Sequence, residues 1–333
     1  MSTEPIWDLY RDGITYSMIK QFLACKQKFK YSNVDAIYLS SSSKNAKMDF
    51  GSIFHDNLEH IYIACKNGKI STDPDEIEKY IRARYTRLWD TYVEEYKSCP
   101  KGLDDYNDVQ RLYTSSEVLT IEYIHHYKSD FTSMKWLGLE TVFDIPWTFS
   151  SGRTTRLRGK RDGEYSGDSR GVPGVYLFET KTKGTIDTGT LVDTVILDLQ
   201  LGIYSHAIRQ DYQMPCLGAI YNVVRRPRMK PKAKQTILEF RKTLEDHIQG
   251  DTDHYFKRIP IRYSESDYRN WMVEFTAMMD EIDMWTQGGP HFRNSGSCTT
   301  AYGSCPYLTL CSSGNDDRYK QKDSLFDELK VIE

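Results

Sequence analysis

"LFETKTKG", residues 177–184, ends an apolar run with a carboxylate, Glu179, and an ammonium, Lys181, one residue apart. In a strand, residues i and i+2 point to the same face, so Glu179 and Lys181 share a face and Thr180 takes the other. Such a pair reads in two ways. It is a solvated, salt-bridged strand end, as charges mostly are, or it is a metal-binding carboxylate beside a catalytic lysine. The rest of the chain bears on the choice.

The chain has 333 residues, 39% hydrophobic and 27% charged, the composition of a soluble globular protein. No run approaches the ~18 apolar residues of a membrane span. "MSTEPIWDLYRDG" has neither the basic nor the apolar part of a signal peptide, so the expected location is the cytoplasm, bacterial or that of a phage-infected host, with no membrane partner. The net charge of −3 hides three basic segments, 26–30, 153–161 and 225–234. The last, "RRPRMKPKAK", carries six cations and two prolines and reads as a basic loop, either merely solvated or contacting a polyanion. The 24 tyrosines serve a core and also suit base stacking. Seven cysteines in a cytoplasmic chain are no disulfide framework. Cys65, Cys99 and Cys216 are scattered, whereas Cys298, Cys305 and Cys311 crowd into "CTTAYGSCPYLTLC".

Helical periodicity predicts one helix through "TYSMIKQFLACKQKFKY", capped by Thr15 or Ser17 and carrying Cys25 inside it. A second is predicted over 48–67, with Phe54, Leu58, Ile61 and Cys65 on one stripe, and mostly helix over 74–130, broken at "SCPKGLDDY". From residue 138, "LETVFDIPWTF", "TRLRGKRDGEYS" and "GVYLFETKT" alternate like strands of an antiparallel meander. A helix over 189–211, a strand "CLGAIYNVVRR" and a helix over 264–286 follow. The expected fold is therefore α/β (α+β): a central mixed sheet flanked by helices. One domain is expected over 1–333, with a helical insertion at about 66–135, a catalytic sheet core at about 138–225 and a cysteine-rich tail at about 288–314.

Asp162 lies near the end of the strand before Glu179. Carboxylates on adjacent strands can converge on one divalent cation as hard oxygen ligands suited to Mg²⁺ or Mn²⁺. With "ETK" at 179–181, this arrangement resembles the PD-(D/E)xK nuclease superfamily, which has a restriction-endonuclease-like core. Gly51 and His55 in "GSIFHDNLEHIY" are spaced like the G-x-x-x-H helix of its RecB-like branch; Gln200 and Tyr204 in "QLGIY" match the branch's Q-x-x-x-Y. Cys25, followed at the far end by Cys298, Cys305 and Cys311, is similar to the cysteine bracket of Cas4- and AddB-like members, although the first C-terminal gap is longer than usual there.

The resemblance, spanning about residues 14–312, implies a metal-dependent DNA nuclease, an exonuclease acting on ends or single strands. His55, Asp162, Glu179 and the Thr180 carbonyl would hold Mg²⁺ or Mn²⁺. Lys181 would position water, with Gln200 and Tyr204 in support. A [4Fe–4S] cluster, or less in keeping with the family zinc, would sit on the four cysteines. Arg158, Arg161, Arg225, Arg226 and Arg228 would meet DNA phosphates. The pathway would be recombination, repair or CRISPR adaptation, with a recombination, helicase or adaptation partner. A catalytically silent DNA-binding module of the same fold and a Cas4-type adaptation nuclease are the alternatives; a sequence-specific endonuclease ranks behind them.

Overall fold

The computed structural model describes residues 6–39, 46–98, 103–169, 171–300, 303–322, 325–326 and 329. Cys99 lies outside the described residues. The helices are α1 (Tyr16–Ala24), α2 (Ala46–Lys66), α3 (Pro74–Ser98), α4 (Leu103–His126), α5 (Thr188–Val195), α6 (Leu199–Tyr212), α7 (Ile237–Gly250) and α8 (Glu265–Thr286). The main strands are β1 (Trp136–Thr148), β2 (Thr154–Ser169), β3 (Val172–Lys183), β4 (Cys216–Arg225) and β5 (Phe256–Arg262).

The strands pair in the order β1-β2-β3-β4-β5, and the short strand Ile14–Thr15 also pairs with β2, in parallel. The first three form the expected meander. β4 is parallel to β3, reached through the α5–α6 crossover that parallel pairing requires, and β5 is antiparallel to β4. The mixed sheet flanked by helices is the expected fold class.

Alternation along the strands feeds two cores. Leu177, Tyr221 and Val223 join Phe22 of α1, Ile203 of α6 and Met279 of α8. Phe178, Val224 and Phe256 join Phe54 of α2, Ile81 of α3, Tyr123 of α4 and Phe240 of α7. Each large side chain so buried contributes about 1.5–3 kcal/mol. The stripe Phe50, Phe54, Leu58 and Ile61 clamps α2 on the sheet, with His55 on its flank.

Two predicted helices are broken. The N-terminal one stops at Ala24: Thr15 caps it by accepting from the Met18 amide, but Cys25 is extended (φ −167°, ψ 114°) before a short turn of helix at Lys26–Phe29. Cys25 therefore lies at a break, not inside a helix. The predicted 189–211 helix is α5 and α6, separated because Asp198 accepts from the Gln200 amide and starts a new helix. The stretch Gly189–Tyr212 has the length and average apolarity of a membrane span, contrary to the sequence reading; half of its most apolar window is buried in the domain, as fits a core crossover.

The two ends of the chain are stitched together. Ile37–Leu39 pairs with Tyr319–Gln321, and Tyr307 donates to the Ile37 carbonyl at 2.7 Å. On another side, Asp283 of α8 receives Arg153 at 2.7 and 2.9 Å, Tyr10 at 2.6 Å and Ser151 at 2.8 Å. The Arg153 guanidinium, against the opposing effect of burial, helps hold the Asp283 carboxyl down at about 2 from an ordinary 3.8. A depressed carboxyl stabilises the fold above its unfolded value, and that contribution fades as pH falls through the folded one. Asp283→Asn should therefore unfold about 2 kcal/mol more easily at neutral pH, with the gap closing between about pH 4 and pH 2. Urea melts across that range check this; a gap independent of pH would contradict it.

Candidate active site

β2 and β3 stay paired from Ser169↔Val172 to Gly163↔Phe178 and then part. The next residue on each strand is Asp162 and Glu179, so the two carboxylates stand at the mouth of a fork. The Thr180 amide donates to Asp162 Oδ2 at 2.8 Å across it. Beyond the fork β3 leans on β4, with Glu179↔Tyr221 through Lys183↔Arg225 in register. Asn222 of β4 donates to the Thr180 hydroxyl at 3.1 Å and to the Tyr123 hydroxyl at 2.8 Å, and Arg258 donates to Asn222 at 3.2 Å. This buried network fixes the catalytic strand from behind.

Glu179 and Lys181 share a face, as alternation requires: Lys181 Nζ donates to Glu179 Oε1 at 2.5 Å. It also donates to Gln200 Oε1 at 2.7 Å, and Gln200 Nε2 donates to the Tyr204 hydroxyl at 2.9 Å. The Asp198 cap places Gln200 in the first turn of α6, within reach of the lysine. His55 Nδ1 is 3.9 Å from Asp162 Oδ2. Its helix comes this close because residue 51 is glycine; a Cβ there would stand 2.9 Å from Thr182 Oγ1 on β3.

The electrostatics match a cation-binding fork. Glu179 is 1% exposed and its Oε2 has no hydrogen-bond partner. Burial first, and the Asp162 charge second, raise its carboxyl to about 8. Burial works against the Lys181 charge, but Glu179 and Asp162 outweigh it and hold the ammonium above its ordinary range. Burial keeps the His55 imidazole below its usual value, so it is neutral and able to ligate. The orphaned buried oxygen and the hard donor set fit Mg²⁺ or Mn²⁺. Among the described residues, however, no group of three or more His, Cys, Asp or Glu side chains stands in metal-holding geometry. Of Thr180, the amide and hydroxyl have defined partners.

The basic residues separate into two sets. Arg161 was expected at phosphates, yet it is 1% exposed and paired with Glu164 at 2.5 Å and Asp211 at 2.8 Å beneath α6. A guanidinium enclosed by two carboxylates cannot reach DNA, so that expectation is corrected. Arg158 is likewise tied up, paired with Asp144 at 3.1 Å and stacked over Phe326 at 4.5 Å. Arg225 reaches His254 at 3.2 Å, while Arg226 and Arg228 turn back toward the end of β3.

Three residues beside Asp162 escaped the sequence reading. Glu140, Glu59 and Lys160 stand on its other side, with Lys160 Nζ 2.6 Å from Glu140. Burial and the Asp162 charge raise Glu140 to about 7. Glu59 is one turn beyond His55 on α2, and that i, i+4 spacing was the available signal.

The four cysteines approach one another from the two chain ends. The Asn294 amide donates to Cys25 Sγ at 3.4 Å, its side chain to the Ala24 carbonyl at 2.8 Å, and the Cys305 amide to the Cys298 carbonyl at 2.8 Å. Burial raises the Cys311 thiol, and Cys305, Cys25 and Cys298 act in the same direction against Arg293, although among the described residues no three of these sulfurs stand in metal-holding geometry. All four are free thiols.

A two-carboxylate fork with one carboxylate buried, and a lysine on the second strand, is the arrangement of a class of phosphodiesterase sites. The family model described as the PD-(D/E)XK nuclease superfamily matches residues 14–312. The chain belongs to that superfamily, and its sheet is the restriction-endonuclease-like core. Comparison with curated proteins finds no match.

Proposed function

We propose that the protein is a metal-dependent DNA exonuclease of the RecB/Cas4-like branch, acting on ends or single strands. The observation that carries this is the fork: Asp162 and Glu179 face each other where β2 and β3 part, with Lys181 held against Glu179. His55, Asp162, Glu179 and the Thr180 carbonyl would hold the ion. When bound, Mg²⁺ or Mn²⁺ supplies Lewis acidity and lowers the pKa of a bound water.

The protein's own residues do the positioning. An ammonium has three N–H donors. Lys181 directs one to Glu179 and one to Gln200. The third is available to a water or phosphate oxygen. Gln200 is in turn held by Tyr204, whose ring packs edge-on against Phe143 at 5.6 Å, so the lysine has little freedom to swing away. Water attacks phosphorus and gives up a proton to solvent, the phosphorus–oxygen bond to the leaving nucleotide breaks and its oxygen takes up a proton, and the charge that builds on the phosphate meets the Lys181 cation.

The four-cysteine neighbourhood supports an iron–sulfur cluster, with zinc the alternative. The thiol donor set fits either, and the Asn294 amide already points at one sulfur. Such a cluster would join residues near both ends of the matched region. A DNA substrate suits a cytoplasmic protein of recombination or repair.

End-labelled linear strands and covalently closed circles, each with Mn²⁺, test the exonuclease reading. Linear DNA should shorten from its ends while circles survive. Equal cutting of circles would make the protein an endonuclease. Binding with no cutting of either substrate would leave a silent DNA-binding module.

A further inference from the structure

The loop after β4 doubles back along the catalytic strand. The Arg226 amide donates to the Lys183 carbonyl at 2.8 Å. Arg228 lies over Gly184, its guanidinium 3.0 Å from where a Cβ would stand. Arg226, Arg228 and Lys230 then meet α4, and with Arg111 of that helix they line a cavity of about 480 Å³. Phe50 of α2, five residues before His55, completes the wall. Lys183 is two residues beyond Lys181, about 7 Å along a strand, so the cavity adjoins the fork along two separate elements.

The charge in this cavity is unbalanced. Among the described residues, the one carboxylate in the wall is Asp108, which accepts from Arg111 at 2.8 Å. Among the described residues, no ion pair engages Arg226, Arg228 or Lys230. Burial and the like charges of Arg228 and Arg111 weaken Arg226's hold on its proton, as expected where cations gather. Guanidinium forks match phosphate oxygens in geometry as well as in charge.

We propose that Arg111, Arg226, Arg228 and Lys230 bind a phosphate of the DNA strand beside the scissile bond, which gives helix α4 a direct part in holding substrate. The proposal rests on the nuclease reading above. Its ligand is a phosphate monoanion or dianion from either of two sources, the strand backbone or a strand end.

The test is binding of a labelled single strand, without added divalent metal, across a salt series. Arg111→Ala and Arg226→Ala should each weaken binding alike for all sequences, because phosphate contacts carry no direct base information. Each should lower the log–log salt slope by roughly one unit. Arg111→Lys should recover much of both. At saturating DNA kcat should be unchanged while KM rises. Equal losses with 5′-phosphate and 5′-hydroxyl strands identify a backbone phosphate; losses confined to the phosphorylated strand identify a terminal one. An Arg111→Ala/Arg226→Ala protein with unaltered affinity and slope overturns the proposal, as does lost affinity at an unchanged slope, the mark of damaged folding. If the unmodified protein binds and cuts normally, such a result leaves the nuclease reading standing. An unmodified protein that binds no DNA overturns both.

Discussion

Lys181→Ala protein is expected to cut DNA at least ~100-fold more slowly than the unmodified chain while keeping its fold, since a positioned charge or proton-transfer group contributes on the order of 10²–10⁴. Glu179→Ala and Asp162→Ala should be impaired as severely. The three variants should differ in stability. Removing Lys181 leaves Glu179 with both oxygens unpartnered at a site 1% exposed, which destabilises. Removing Glu179 deletes a carboxylate that burial and Asp162 already disfavour, and Lys181 keeps Gln200 and the nearby Asp162 charge, so Glu179→Ala should be destabilised less than Lys181→Ala. Lys242→Ala, which breaks only an exposed pair with Asp246, is the control and should cut normally. Rates with Mn²⁺ and thermal melts on the same preparations check both halves. A Lys181→Ala protein of normal rate would remove the lysine from the mechanism.

Loss of a cysteine should act on stability more than on chemistry. A metal held by Cys25, Cys298, Cys305 and Cys311 would cross-link positions near both ends of the matched chain, and closing so long a loop would restrict the unfolded state by up to about 5 kcal/mol. If a metal is bound there, Cys25→Ser and Cys311→Ser should each lose it and melt lower by up to roughly 7 °C. Cys65→Ser, remote from the other thiols, should do neither. Protein purified without oxygen should be brown from sulfur-to-iron charge transfer. Colourless protein with stoichiometric zinc would replace iron and keep the cross-link. Protein with neither metal would leave the ends joined by the Ile37–Leu39 and Tyr319–Gln321 strands and their surrounding contacts.

The parts of this molecule that follow local rules were legible in its sequence. Period-2 alternation gives the shared face of Glu179 and Lys181, and the 3.6 period gives the Phe54, Leu58 and Ile61 stripe that carries His55. The misreadings have tertiary causes. Nothing in "FLACKQKFKY" breaks a helix; the break at Cys25 comes with distant partners, as the Gln27 amide donates to the Phe292 carbonyl and Asn294 to that of Ala24. The break before α6 was readable in principle, because Asp198 precedes a helix as a cap should, but the apolar residues around it hid the signal. Strand β5 contains Pro260, which argues against a central strand and is tolerated because β5 is at the sheet edge. Arg161 looked like part of a basic surface run. Its burial depends on Asp211, which the fold brings to it from the far end of α6. The basic cavity is hidden for the same reason, since Arg111 and Arg226 meet only once α4 packs beside the loop.

The most direct measurement is hydrolysis of a labelled DNA strand by the unmodified protein, followed as Mn²⁺ or Mg²⁺ is added and then removed with EDTA, with Glu179→Gln alongside. Cleavage should begin with the divalent ion, stop with the chelator, return on readdition of the ion, and be absent from Glu179→Gln. Cleavage that continues in EDTA, or that survives in Glu179→Gln, would contradict a metal-dependent site at the fork.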